Sequence, residues 1–263
     1  MRLTVGERRP FMAAFAALIG VAWLSLWWWG QSPYGRFLSH ENLDAAGGAP
    51  WSMVFIAGWT LMIVAMMLPS SMPLVIMFAR LTQRRSDRLL LVGLLLLGYL
   101  GAWAVFGAAI HASDLLLHAA VSNIDWLGSH AWLIAASTLA AAGLYQFSSL
   151  KYRCLDKCRS PLSFIAEHWR GRRERGQAFV LGVHHGLFCV GCCWLLMLLM
   201  FAVGVGNLGW MLVLGAIMAF EKNMPFGRRM SAPLGAVLVA AGLGVVLWAT
   251  VPALGLLGSM GGA

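Results

Sequence analysis

The chain has 263 residues, 60% hydrophobic and 11% charged, with 13 tryptophans and a mean hydropathy of +0.76. So apolar a composition excludes an ordinary soluble domain and places the chain among polytopic membrane proteins. The formal net charge of +9 does not point to a nucleic-acid partner, because the basic residues sort by topology.

The spans can be taken in order. Arg2, Arg8 and Arg9 precede an apolar run from Phe11 to Trp29. That run is too long for the apolar part of a signal sequence and lacks a small-residue cleavage site, so it reads as a retained first span. Further spans are expected over 53–79, 89–117, 131–150, 178–203, 208–224 and 233–251. The sixth is short against the roughly 20 residues a bilayer needs and borrows Glu221–Met224 at its end. No second domain or internal repeat is visible. The expectation is a single all-α transmembrane bundle over 1–263 with seven spans.

Charge gives the orientation. With the N-terminus in the cytoplasm, segments 1–10, 80–88, 151–177 and 221–232 are cytoplasmic and hold 18 of the 19 lysines and arginines, Arg36 being the exception. This obeys the positive-inside rule and predicts an N-terminus in the cytoplasm and a C-terminus outside. The run Arg170–Arg175 reads as a lipid-headgroup signal. The outer loops carry His40, Glu41, Asp44, His118, Asp125 and His130, with His111 and Asp114 at the end of the third span. They read as solvated loops, with a weak landing site for a divalent ion as the sharper alternative.

The interior is expected to be almost free of ionisable groups, with Glu221 and Asp114 at span ends. Ion-coupled carriers place such groups in the bundle, so this pattern argues against one. The polar chemistry left at membrane depth is sulfur and imidazole.

The fifth span concentrates it. Three of the five cysteines lie there, and an odd count with three in one apolar helix suggests ligation or redox chemistry, not a disulfide framework. At 100° per residue, His185, Cys189, Cys192, Cys193, Met197 and Met200 share an arc of roughly 140°, opposite Val190, Leu195 and Leu198. Thiol and thioether ligands favour Cu(I), with zinc next; the plain alternative is that cysteine and methionine simply fill a membrane helix. Cys192 and Cys193 diverge by about 100°, so both reach one ion only if the backbone bends at Gly191.

Two other segments extend the pattern. The second span carries Met62, Met66 and Met67 before Pro69 and Pro73; each proline removes a backbone donor, so the helix should kink or open there. Met62 or Met66 is the expected source of a third ligand. Cys154 and Cys158 lie just past the fourth span, one helical turn apart, as a secondary cytoplasmic metal pair. Neighbouring Lys151, Arg153, Lys157 and Arg159 should favour their thiolates.

Several motifs resemble a family of bacterial multi-pass proteins described as predicted metal-binding integral membrane proteins. They are Gly58-Trp59 through Met66-Met67-Leu68-Pro69, then Tyr145-Gln146 through Lys151, Cys154, Cys158 and Arg159-Ser160-Pro161. Cys189-Val190-Gly191-Cys192-Cys193-Trp194 with Met197 follows, then Asn207, Trp210-Met211 and Glu221-Lys222. The resemblance spans roughly 53–226 and implies metal binding and copper supply to copper oxidases.

Three functions follow as alternatives. The first is a non-enzymatic Cu(I) chaperone that passes its ion to a periplasmic copper enzyme or metallochaperone, with Cys189, Cys192 and Cys193 as ligands and Met62, Met66, Met197 and Met200 as relay thioethers. The second is a membrane thiol–disulfide oxidoreductase using the Cys189/Cys192 pair. The third is a scaffold whose cysteines only pack.

Overall fold

The computed structural model describes residues 5–31, 49–130, 132–171, 173–203 and 207–260. All regular structure among these residues is helical: α1 (Val5–Gln31), α2 (Ala49–Leu81), α3 (Arg88–Asn123), α4 (Asp125–Ser129), α5 (Trp132–Tyr145), α6 (Ser149–Arg159), α7 (Pro161–His168), α8 (Glu174–Val203), α9 (Leu208–Asn223) and α10 (Gly227–Met260).

Five helices are long and apolar enough to cross a membrane: α1, α2, α3, α8 and α10. The pair α5 and α6 makes a sixth only if it is one span bent by 63°. With 16 residues, α9 falls short of the length of a crossing. The sequence pattern suggests seven, so the fourth and sixth spans are where structure and pattern part.

The break after α5 is written locally. Gln146, Phe147 and Ser148 donate their backbone N–H groups to Gly143, Leu144 and Tyr145, three residues back, which tightens and ends the helix. Ser148 then caps α6, its hydroxyl accepting from the Lys151 N–H at 3.1 Å. Pro161 opens α7 at its first turn, where a missing N–H costs nothing. The chain between α5 and α8 therefore runs in two short helices packed on α8 instead of one straight span leading into a cytoplasmic loop.

Two helix pairs are joined through small residues. Gly182 and Gly186, one turn apart on α8, lie against the backbone of α3; a Cβ at Gly182 would run into the Leu95 carbonyl, and one at Gly98 into the Phe179 carbonyl. Such contacts let backbones approach where no hydrophobic effect drives association. Gly143, Gly235 and Gly242 do the same between α5 and α10.

Pro69 and Pro73 lie inside α2, which stays helical through both. Pro69 leaves the Ala65 carbonyl without its backbone donor, and the Trp23 indole of α1 donates to that carbonyl at 3.1 Å. The helix thus passes the proline because a side chain from its neighbour replaces the missing N–H.

Candidate metal centre

The site is built where α2, α3, α8 and α9 meet, with α6 alongside. Tight α3–α8 packing brings Tyr99 to the sulfur stripe of α8: its hydroxyl lies 3.1 Å from Cys189 Sγ and 3.3 Å from the Met67 carbonyl. Cys189, Cys192 and Cys193 are all buried, as are Met62, Met66, Met67, Met197 and Met200, and every cysteine is a free thiol.

Within this sulfur cluster stands a cation. Lys222, at the end of α9 and only 6% exposed, places its Nζ 2.9 Å from Cys189 Sγ, 3.9 Å from Cys193 Sγ, 3.8 Å from Met67 Sδ and 3.2 Å from Ser70 Oγ. Cys193 Sγ lies 3.9 Å from Met67 Sδ. Two thiols from α8, and a thioether and a hydroxyl from α2, thus surround one positive charge from α9.

The expected residues divide by position. Met67 faces the thiols, while Met66 packs against Gly215 of α9. Both precede Pro69, but adjacent residues on a helix point about 100° apart, so one can face α8 and the other α9. Met62, Met197 and Met200 lie in the surrounding core. His185 is buried, its Nε2 3.3 Å from Ser71 Oγ and its ring packed on Tyr99 and Phe164; its Nδ1 has no hydrogen-bond partner.

Cys192 and Cys193 turn their thiols back onto the Cys189 carbonyl, at 3.1 and 3.0 Å. Gly191 stays within the continuous α8, and its carbonyl accepts from the Tyr145 hydroxyl. Among the described residues no three His, Cys, Asp or Glu side chains converge as a closed metal site would. The thiols must rotate off that carbonyl for more than one to reach an ion. The donor chemistry nevertheless fits a soft cation: thiols and a thioether in a dry pocket that already accommodates a positive charge.

Cys154 and Cys158 lie on α6, which packs against α8. Because α6 folds back on α8, Cys154 Sγ lies against Gly191, and half-buried Cys158 packs against the same core. Their basic neighbours are turned elsewhere: Lys157 pairs with Glu167 at 2.6 Å, and Arg159 donates to the carbonyls of Glu221 and Pro225. Outside the spans, that Lys157 ammonium holds the Glu167 carboxyl below the usual carboxylate range. The α6 helix also carries exposed Arg153.

A second departure concerns charge. The interior is not free of ionisable groups: Lys222, Lys151 and Glu221 are all buried. Lys151 donates to both Glu221 carboxylate oxygens, at 2.8 and 2.9 Å, and to Gln146; Ser231 Oγ donates to Glu221 at 2.7 Å. These residues stand at span ends in the sequence, but the short α9 and the folded-back α6 tuck those ends into the bundle. Buried charge of the kind an ion-coupled carrier uses is therefore present in this bundle. A charged pair following the apolar run of α9, and a tyrosine within the third span, were the available signals for Lys222 and Tyr99.

Of the outer histidines, the structure describes the side chains of His111 and His130. His111 is buried and stacks on Phe55 with centroids 4.6 Å apart, and His130 stacks on Trp126. His40, Glu41 and Asp44 lie outside the described residues, and the side chain of His118 is not among those described.

Residues 56–245 match the profile of the PpoB2 family, described as copper chaperones. The chain belongs to this copper chaperone family. The matched stretch contains every cysteine, Met62, Met66, Met67, Tyr99 and Lys222, so the whole cluster falls inside the family's domain. Membership supports a copper-related, non-enzymatic role. No curated protein and no solved structure matches the chain.

Proposed function

We propose that this protein takes up Cu(I), holds it in the cluster around Cys189, and passes it to a periplasmic copper enzyme or metallochaperone from the bacterial inner membrane. The observation that carries the reading is the buried group of Cys189, Cys193 and Met67 around a single cationic centre. Thiolates and a thioether suit a soft monovalent ion, and a dry pocket disfavours Cu(II); zinc is the competing cargo.

Cys189, Cys193 and Met67 are the proposed primary ligands. Cys192 and Cys158 are the proposed exchange partners, and Cys154 backs them at Gly191. His185 and the buried Met62, Met66, Met197 and Met200 would line the route onward. Cys158, on a helix whose other face is charged, offers the entry side for copper delivered from the cytoplasm. No nucleotide-binding motif accompanies the cluster, so transfer would run down a gradient of affinity through shared-ligand exchange.

The test is metal analysis of protein purified under reducing conditions, with Cys189→Ser as the control. Copper bound by the parent chain and lost from the variant supports the reading. Copper-free protein whose Cys189 and Cys192 form a disulfide once the reductant is removed would favour the oxidoreductase instead.

A further inference from the structure

Lys222 is the most unexpected residue in the cluster. A lysine costs much free energy to bury unless its charge is matched, yet this one has its ammonium among sulfurs, away from the Lys151–Glu221 pair. The shell within 4 Å of its Nζ comprises Cys189 Sγ, Cys193 Sγ, Met67 Sδ and Ser70 Oγ, which contains two thiols and no carboxylate.

We propose that Lys222 is a built-in counter-charge that selects a monovalent soft ion over a divalent one; this rests on the copper reading of the same cluster. The charge arithmetic gives the reason. Metal-bound cysteines are thiolates, so a monovalent ion on Cys189 and Cys193 makes a unit of charge −1. The Lys222 ammonium brings that unit to zero. A divalent ion on the same two thiolates is already neutral, and the adjacent ammonium then leaves an uncompensated positive charge in a dry interior. Neutral Met67 and Ser70 change nothing in this balance. The ammonium also stands where a cation is best solvated by these groups, so it has to shift aside when the ion enters, remaining close enough to neutralise it.

The selection is read by equilibrium binding to the full-length protein in detergent, using Ag(I) as a redox-stable monovalent ion and Co(II) as a divalent one whose thiolate charge-transfer band reports ligation. The wild-type chain should bind Ag(I) and give little cobalt–thiolate band. Lys222→Gln should weaken Ag(I) binding by about a hundredfold or more, the scale of an unpaired buried charge, and acquire the cobalt band. Lys222→Arg, which keeps the charge, should preserve the wild-type order. An equal Ag(I)-to-Co(II) preference in wild type and Lys222→Gln overturns the proposal. Should Lys222→Gln fail to fold, a strong cobalt–thiolate band in the wild-type protein overturns it without any variant. Undiminished Ag(I) binding by Cys189→Ser is a different result: it sinks the site itself, whatever Lys222 does.

Discussion

Lys222 Nζ and Cys189 Sγ lie 2.9 Å apart, joining the end of the short α9 to the middle of α8. The contact ties a buried amine to the sulfur stripe of α8.

The ligand set can be separated residue by residue. Cys189→Ser, in protein that inserts normally, should lose most bound copper. Met67→Leu should weaken retention, because its thioether lies 3.9 Å from Cys193 Sγ. Met66→Leu should have a much smaller effect, since Met66 packs against Gly215. Copper per chain after dialysis against a Cu(I) chelator measures all three. Equal losses from the two methionine variants would contradict the placement of Met67.

The buried pair of Lys151 and Glu221 should matter to stability far more than any exposed ion pair. Removing one partner leaves a buried charge unmatched, which costs about 3–5 kcal/mol. Lys151→Met and Glu221→Gln should each lower the unfolding midpoint in detergent, and the double variant should recover part of the loss. Additive losses in the double variant would mean that the two residues do not act as a pair.

Trp23 and Pro69 form a second coupled pair. Trp23→Phe strips the Ala65 carbonyl of the indole donor, leaving an unsatisfied buried acceptor that costs about 1–3 kcal/mol. In a Pro69→Ala background the backbone supplies the N–H again, so Trp23→Phe should cost less there. A thermal-unfolding double-mutant cycle reads the coupling, and zero coupling would remove the compensation from the account of α2.

At the α3–α8 crossing, Gly182→Val should push the helices apart, because even a Cβ has no room beside the Leu95 carbonyl. Tyr99 then withdraws from Cys189, so copper retention should fall together with stability. A variant with full retention and an unchanged unfolding midpoint would show that close packing there is dispensable.

The orientation also has a direct check. A reporter active only in the cytoplasm, fused after Ala263, should stay silent if the N-terminus is inside and the chain crosses seven times. A bright signal would mean that α9, or the bent pair of α5 and α6, does not complete a crossing.

Much was legible in the sequence because it depends on local properties. Apolar runs longer than a bilayer is thick specify membrane helices. The 100° step between residues puts His185, Cys189, Cys192 and Cys193 on one stripe, and their soft donors already suggest copper. The same residues carry the family resemblance that the match over 56–245 bears out.

Tertiary structure decided what meets that stripe. Periodicity could not choose between Met66 and Met67, because which side of α2 faces α8 depends on how the helices pack. Nor could it foresee that α6 turns back at Ser148 and carries Cys154 to Gly191 of α8, since a cap residue ends one helix without fixing the direction of the next. Lys151, Glu221 and Lys222 read as span-end charges because hydropathy averages over a window and ignores partners. Burial of a charge is settled by the atoms around it, and those come from helices distant in sequence: Glu221 of α9 for Lys151 of α6, and Cys189 of α8 for Lys222.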